Sequence, residues 1–432
     1  MSFVPMIQSA LATAMPRRLQ LSNSAAYLSR TPLASVDMLA RGKEDQKVVS
    51  EAMGANFMIT RRNLNLALAS LVGASAFGRV ASAQSTRSNE LNILCWEGYN
   101  TDAVLAPFRQ AHPGAKVRAE SGTSDPDMIN RLRAGELGVW DVLNVNQPWA
   151  RKLAPEKLIK PLNKERFMPY FAKMSGEFAK PYPLAFSDAG ELLGMPQRYG
   201  PFSFVVNTDK ISRETAEDQG WNLFLDPAMK GRYGVLTYGD WNIIHLGLTA
   251  GLDPFAPMDD AGKAKFKSTA EQIFGNAKLL TDDLVAMTTA LINGEIDAYF
   301  TGGTYTASPA RLDGASNVRA ITPKSGPVGG NGGVVWVELT SLVNNPQPSA
   351  LAEDFIDFVQ KPEIAKVVSF AEGTYNPITA MADPEVFAQY SKEELDAIQW
   401  DSLEEEMARS MQYDEIASWG DLNAIYAAAK RT

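Results

Sequence analysis

The apolar and polar positions first fall into an ordered pattern at Leu91–Cys95, a short apolar run that predicts a buried strand. It ends on Trp96-Glu97-Gly98-Tyr99, so two large rings sit at its carboxyl end. Next, Val104, Leu105 and Phe108 recur at helical spacing, which predicts a helix from Thr101 or Asp102 to Ala111, closed by Pro113-Gly114. Lys116–Glu120 reads as a second strand. Ser121-Gly-Thr-Ser124-Asp125 then precedes Met128, Ile129 and Leu132, a helix start whose backbone N–H groups suit a plain cap or an anion or hydroxyl. Trp140–Asn146 is a third strand, followed by Gln147-Pro-Trp149. This β-α-β-α-β order predicts a parallel sheet with helices on both faces.

Further along, Gly194–Asn207 is extended and carries two prolines, which suits a segment running between lobes. Gly231–Leu236 leads into Thr237-Tyr238-Gly239-Asp240-Trp241, again rings at a strand end, and then a helix over Asn242–Ala250. Thr281 is positioned to cap a helix bearing Leu284, Met287 and Leu291, closed by Gly294; Ile296–Thr301 is the next strand. The glycine-rich Gly326–Gly333 lacks the Gly-Lys-Ser/Thr of a phosphate loop and reads as a crossover. In the strand Val334–Leu339, Trp336 and Glu338 are two residues apart and therefore share a face. Two amphipathic helices follow, Ala350–Gln360 and Pro362–Glu372, then a ring-bearing turn, Gly373-Thr-Tyr375-Asn-Pro377. The tail, Lys392–Arg431, is expected to be mostly helical.

In open α/β sheets a ligand crevice lies outside the carboxyl ends of the strands. The recurrent strand-end rings are therefore candidate ligand contacts. On the residues alone, Trp96 reads equally well as core and Tyr99 as a loop aromatic.

Composition narrows the function. The chain of 432 residues exceeds what one core usually supports, so two lobes or domains are expected. Its net charge is -9; residues 1–83 hold nine Lys/Arg and four Asp/Glu, leaving 32 against 46 in the remainder. Such an acidic body argues against nucleic acid and fits a cationic ligand. The lone Cys95 makes no internal disulfide, and two His without a Cys cluster give no basis for a metal site. No apolar run reaches the roughly 18–20 residues of a membrane span.

Met58-Ile-Thr-Arg61-Arg62-Asn-Leu64, a mildly apolar run through Phe77, and Ala81-Ser-Ala83 have the anatomy of a twin-arginine-type export signal, residues 58–83. Removal near Ala83 would give a soluble periplasmic protein. A short amphipathic helix is the alternative. Residues 1–57 are expected to be a non-native leader or disordered extension, with initiation at Met53 or Met58.

Taken together, Trp96-Glu-Gly-Tyr99, Gly194-Met-Pro…Asn207-Thr-Asp-Lys-Ile211, Leu291-Ile-Asn-Gly-Glu-Ile-Asp-Ala298, Trp336-Val-Glu338, Pro362-Glu-Ile-Ala and Tyr375-Asn-Pro377 resemble the spermidine/putrescine-binding branch of the periplasmic solute-binding proteins of ABC importers. The resemblance spans residues 90–380. It implies an α/β, two-lobe periplasmic-binding-protein fold of type II, each lobe a mixed sheet flanked by helices, with a hinge between them. The expected partition is 84–201 with 336–376 for one lobe, and 202–335 with 377–432 for the other. It further implies that Trp96, Tyr99, Trp336 and Tyr375 sandwich the ligand and that Glu338 binds an ammonium. Trp149 falls beside a family position that is usually Tyr, and Tyr238–Trp241 fall where the family carries an acidic pair; here only Asp240 is acidic. The expected ligand set is Trp96, Tyr99, Trp149, Tyr238, Trp241, Trp336, Glu338 and Tyr375.

The function this implies is non-enzymatic capture of a small cationic solute, a polyamine or related amine, and its delivery to ABC permease subunits. The protein is expected to be a monomer without cofactor, metal or nucleic-acid partner. One clear carboxylate favours a ligand with a single amine, an amino-acid derivative or a quaternary amine. Thiamine stays open. Iron(III) is disfavoured because no adjacent Tyr pair occurs. An exported enzyme is disfavoured because there is no Gly-x-Ser-x-Gly, and His112 and His245 read as structural.

Overall fold

The computed structural model describes residues 86–371 and 373–431; the expected export signal and the segment before it lie outside the described residues. Strand β1 (Glu90–Cys95), helix α1 (Asp102–Ala111), β2 (Lys116–Ser121), α2 (Asp125–Arg133) and β3 (Val142–Asn146) form within a residue or two of the predicted positions. β1 pairs in parallel with both β2 and β3. The first turn of α2 is fixed by Ser124, whose hydroxyl accepts from the Asp127 N–H at 3.2 Å.

After α3 (Gln147–Leu153), the two-residue β4 (Ile159–Lys160) and α4 (Lys164–Phe171), the chain enters β5 (Met195–Asn207), every residue of which is buried. The segment predicted to run between lobes is thus a 13-residue strand. It leads through α5 (Arg213–Gln219) to β6 (Tyr233–Leu236), α6 (Gly239–Thr249), α7 (Asp260–Asn276), β7 (Leu279–Thr281), α8 (Leu284–Ile292), β8 (Ala298–Gly303), α9 (Thr304–Leu312) and β9 (Val318–Ile321). The cap of α8 is Asp283 rather than Thr281. Its carboxylate accepts from Val285 and Ala286 N–H at 2.9 and 3.1 Å, and Thr281 ends β7 instead. β10 (Gly333–Val343) then returns antiparallel to both β3 and β5.

All these strands join one mixed sheet in the order β2-β1-β3-β10-β5-β8-β6-β7, with β9 on β5 and β4 on β10. Two long buried strands, β5 and β10, therefore occupy the middle. The hydrophobic core divides across them. Residues from Leu91 to Tyr199, with Val335 to Val368, form one cluster; residues from Phe204 to Val334, with Tyr413 to Ala429, form another. A third cluster, including Val205, Leu236, Met287, Leu291 and Tyr299, fills the opposite face of the second half. His245 is buried beside the second cluster, stacked on Trp221 and edge-on to Phe300, with Nδ1 3.0 Å from the Thr301 hydroxyl and Nε2 3.2 Å from the Phe202 carbonyl. Burial pulls its pKa down to about 3, so it stays neutral and structural.

The chain finishes with α10 (Ala352–Gln360), α11 (Pro362–Ser369), the hairpin of β11 (Phe370–Ala371) and β12 (Thr374–Tyr375), and the short helices α12 (Pro384–Phe387), α13 (Lys392–Ala397) and α14 (Leu403–Ala408). β13 (Ser410–Gln412) then pairs in parallel with β10 at Gly333–Val335, before α15 (Trp419–Ala429). The tail is mostly helical as expected, but β13 gives it a strand contact with the middle of the sheet.

Candidate functional site

The middle of the sheet is where the two crossover strands leave regular pairing. Val337 lies opposite Tyr199 and Leu339 opposite Pro196, so Glu338 alone faces two residues, Gln197 and Arg198. Such a bulge re-aims side chains, and bulges concentrate beside functional sites. Here it brings Arg198 onto Glu338. Arg198 Nε donates to Glu338 Oε2 at 2.8 Å and Nη2 to Oε1 at 2.7 Å, with both side chains almost fully buried. Burial pushes the Glu338 carboxyl upward, and the guanidinium pulls it back down.

Tyr99 completes this unit. Its hydroxyl donates to Glu338 Oε2 at 3.1 Å, and its ring lies 4.9 Å from the Arg198 guanidinium. Arg198 Nη1 also donates to the Glu97 carbonyl at 3.0 Å. Gly98 makes that approach possible. Its φ is +97°, and a Cβ there would lie 3.1 Å from Arg198 Nη1 and 3.2 Å from the Phe370 carbonyl.

Above this unit opens a cleft of about 770 Å³, within the range of small-ligand sites. Trp96 and Glu97 line it from the end of β1, Ser121–Pro126 from the start of α2, and Thr237–Trp241 from the start of α6. Asn146, Tyr305, Trp336, Asn376, Tyr413 and Trp419 complete the wall, with Arg198 and Glu338 at its base. Residues of both halves of the sheet therefore meet in one cavity.

The rings of the second half form a connected series. Trp336 meets Tyr305 edge-on at 5.9 Å, and Tyr305 stacks on Phe202 at 5.3 Å. Phe202 meets Trp241 edge-on at 4.7 Å, and Trp241 lies 5.2 Å from Tyr413. Each ring packs on the next, so little side-chain freedom is left for a ligand to remove on binding.

Four carboxylic acids line the cleft, Glu97, Asp125, Asp240 and Glu338, against the single guanidinium of Arg198. That guanidinium is committed to Glu338, which leaves the other three acids without an ion pair across the cleft. Asp240 accepts from the Trp419 indole N–H at 2.7 Å. Asp125 is buried and accepts from the Asn146 backbone N–H at 3.0 Å and from Asn146 Nδ2 at 2.8 Å. Burial, with smaller contributions from Glu338 and Asp240, raises its pKa to about 7. The lining is thus aromatic and net negative, suited to an ammonium held by ring faces and carboxylates.

Of the expected ligand set, the structure brings Trp96, Tyr238, Trp241, Trp336 and Glu338 into the cleft lining. It places the other three elsewhere. Tyr99 is fully buried beneath the cleft, against Arg198 and Glu338. Trp149 is buried in the first core, with the Lys152 ammonium 5.2 Å from its ring. Tyr375 turns away: its hydroxyl donates to Glu394 at 3.0 Å and its ring packs on Phe370 at 5.0 Å. Its neighbour Asn376 lines the cleft in its place, as expected when adjacent extended residues face opposite ways. Glu338 is present, but it already carries a cation of the protein's own.

Sequence reasoning did not single out Glu97, Asp125, Arg198, Tyr305, Asn376, Tyr413 or Trp419 as site residues. Asp125 and Glu97 had a signal, since each adjoins a strand end that was recognised. Tyr413 and Trp419 had none, because β13 shows no strand-like pattern.

Comparison with known proteins agrees with this architecture. The family described as bacterial extracellular solute-binding protein matches residues 103–394. The spermidine/putrescine-binding periplasmic protein of Escherichia coli is 21% identical over 324 residues, covering 73% of this chain and 85% of that protein. Among solved structures, the spermidine/putrescine ABC transporter substrate-binding protein of Streptococcus pneumoniae aligns with a TM-score of 0.56 at 18% identity, over 79% of this chain and all 100% of the other. A lipoprotein of Treponema pallidum aligns at 0.58 with 14% identity, over 80% and 100%. The mixed sheet flanked by helices is the type II periplasmic-binding-protein fold. The chain belongs to the bacterial extracellular solute-binding proteins.

Proposed function

We propose that this protein is the extracytoplasmic substrate-binding component of an ABC importer and that its ligand is a small organic cation bearing an amine. The observation that carries the reading is the charge of the cleft. Three carboxylic acids, Glu97, Asp125 and Asp240, face a cavity whose only guanidinium is already paired. Ring faces from Trp96, Trp241 and Trp336 supply the remaining attraction, each worth about 0.5–2 kcal/mol toward a desolvated ammonium. The relatives named for spermidine and putrescine support the amine class.

The cycle follows from two cores joined by strands. A ligand that touches Asp125 on one side and Asp240 on the other binds both only when they approach, so binding favours the closed arrangement. Without a cation, two carboxylates brought together repel. The same cation that stabilises closure thereby removes its electrostatic cost. The closed, loaded protein then docks on the permease subunits and releases the ligand there. Lobes at 84–201 with 336–376 and 202–335 with 377–432, export through the twin-arginine route and a monomeric state belong to this reading.

The test is a thermal-shift screen of the full chain over polyamines, betaines, amino-acid derivatives and thiamine. A ligand present at 100 times its Kd stabilises by about 2.7 kcal/mol. Shifts confined to amine-bearing compounds support the reading. Shifts confined to neutral or anionic compounds refute it.

A further inference from the structure

Residues of the cleft lining carry N–H groups that an ammonium alone cannot match. Trp96 Nε1 and Trp336 Nε1 are both shielded from solvent and without a hydrogen-bond partner. Both residues line the cleft, and Trp336 is 8% exposed as a whole. An indole N–H only donates, so each of these groups calls for an acceptor. On the same wall, Asn146 Oδ1 is a shielded acceptor without a partner, in a residue that is 9% exposed. Its orientation is fixed, because Nδ2 donates to the Asp125 carboxylate at 2.8 Å.

Buried polar groups are almost always paired, and leaving one unpaired costs free energy. A fully protonated polyamine has donors only. It satisfies Asn146 and the carboxylates but leaves both indole N–H groups unmatched. We propose that the cognate ligand carries an oxygen acceptor as well as an ammonium, making it a zwitterionic amino-acid derivative, and that Trp96 and Trp336 donate to its carboxylate while Asn146, Asp125 and Asp240 take its ammonium. This rests on the amine reading above and names the ligand's other end. Trp96 and Trp336 act here through their N–H edges, so their role is specificity as much as attraction.

The test uses compounds of equal length that differ only in their ends: 1,5-diaminopentane, 5-aminopentanoate and glutarate, with the four- and six-carbon series beside them. Titration calorimetry on the full chain is expected to show the amino acid binding at least tenfold tighter than the diamine of the same length. A diamine that binds tighter overturns this inference and leaves the amine reading standing. A dicarboxylate that binds tightest, or no binding across all three series, overturns both. Trp96→Phe and Trp336→Phe keep a ring face and remove the N–H. Each is expected to reduce the preference for the amino acid over the diamine at least fivefold. A preference unchanged in both variants overturns the inference even if both still bind, because ring faces alone would then account for the affinity.

Discussion

Arg198 and Glu338 face each other across the two crossover strands and form a two-point ion pair, at 2.8 and 2.7 Å, that is sealed from solvent at the base of the cleft. The residue expected to hold the ligand's ammonium holds an arginine of the protein instead. Its contribution is to fix the middle of the sheet and the floor on which the ligand rests.

Breaking this pair from one side should be costly. Arg198→Ala leaves a buried carboxylate without its partner, and such losses run at about 3–5 kcal/mol. Glu338→Ala does the same to the guanidinium. Replacing both, as Arg198→Met with Glu338→Leu, should recover a large part of the loss. Urea unfolding of the four proteins measures the coupling as a double-mutant cycle. Additive losses would show that the two side chains do not act as a pair.

Gly98 should tolerate no side chain. Its φ of +97° and the 3.1 Å approach of Arg198 Nη1 leave Ala both strained and crowded. Gly98→Ala is expected to lower stability by about 1–3 kcal/mol, read as a shift in the urea midpoint. An unchanged midpoint would place the guanidinium elsewhere.

Asp125 makes both stability and binding depend on pH. Unfolded, its carboxyl titrates near ~3.9; folded, burial raises it to about 7. Between those values the folded state keeps a proton that the unfolded state has released. Stability from this group therefore falls as pH rises from about 4 to about 7 and levels off above. A bound ammonium favours the ionised form, so amine affinity should rise from about pH 6 to about pH 8, by at most roughly tenfold per unit below the folded pKa. Binding near pH 7 should release a proton, visible as calorimetric heats that vary with the ionisation enthalpy of the buffer. Asp125→Asn should flatten both profiles.

Much of this arrangement was legible in the chain, for identifiable reasons. β1, β2, β3 and the helices between them follow apolar periodicity, so their positions were predicted closely; β5 read only as an extended segment between lobes, because Gln197, Arg198 and two prolines break its apolar pattern, and β10 runs four residues beyond the predicted Leu339. Trp336 and Glu338 were rightly placed on one face because strand side chains alternate. The Arg198–Glu338 pair was not legible. The two residues are 140 positions apart, and they meet only because a bulge shifts the register between their strands. β4, β7 and β13 have two or three residues each, too few to show a period. Tyr375 and Asn376 are adjacent, and one step along an extended segment decides which of them faces the cleft. The sequence held a Tyr there; the fold turned the Asn inward.

Asp240 offers the most direct test. It lies at the start of α6, its carboxylate faces the cleft, and Asp240→Asn keeps its size while removing its charge. Calorimetric titration of the full chain with a tight-binding amine from the screen should give one saturable site, and the variant should bind at least tenfold more weakly, a loss of about 1.4 kcal/mol or more, with an unchanged melting temperature in the absence of ligand. Equal affinity in the two proteins, or undiminished binding of the same compound after its amine is acetylated, would contradict capture of a cation by this cleft.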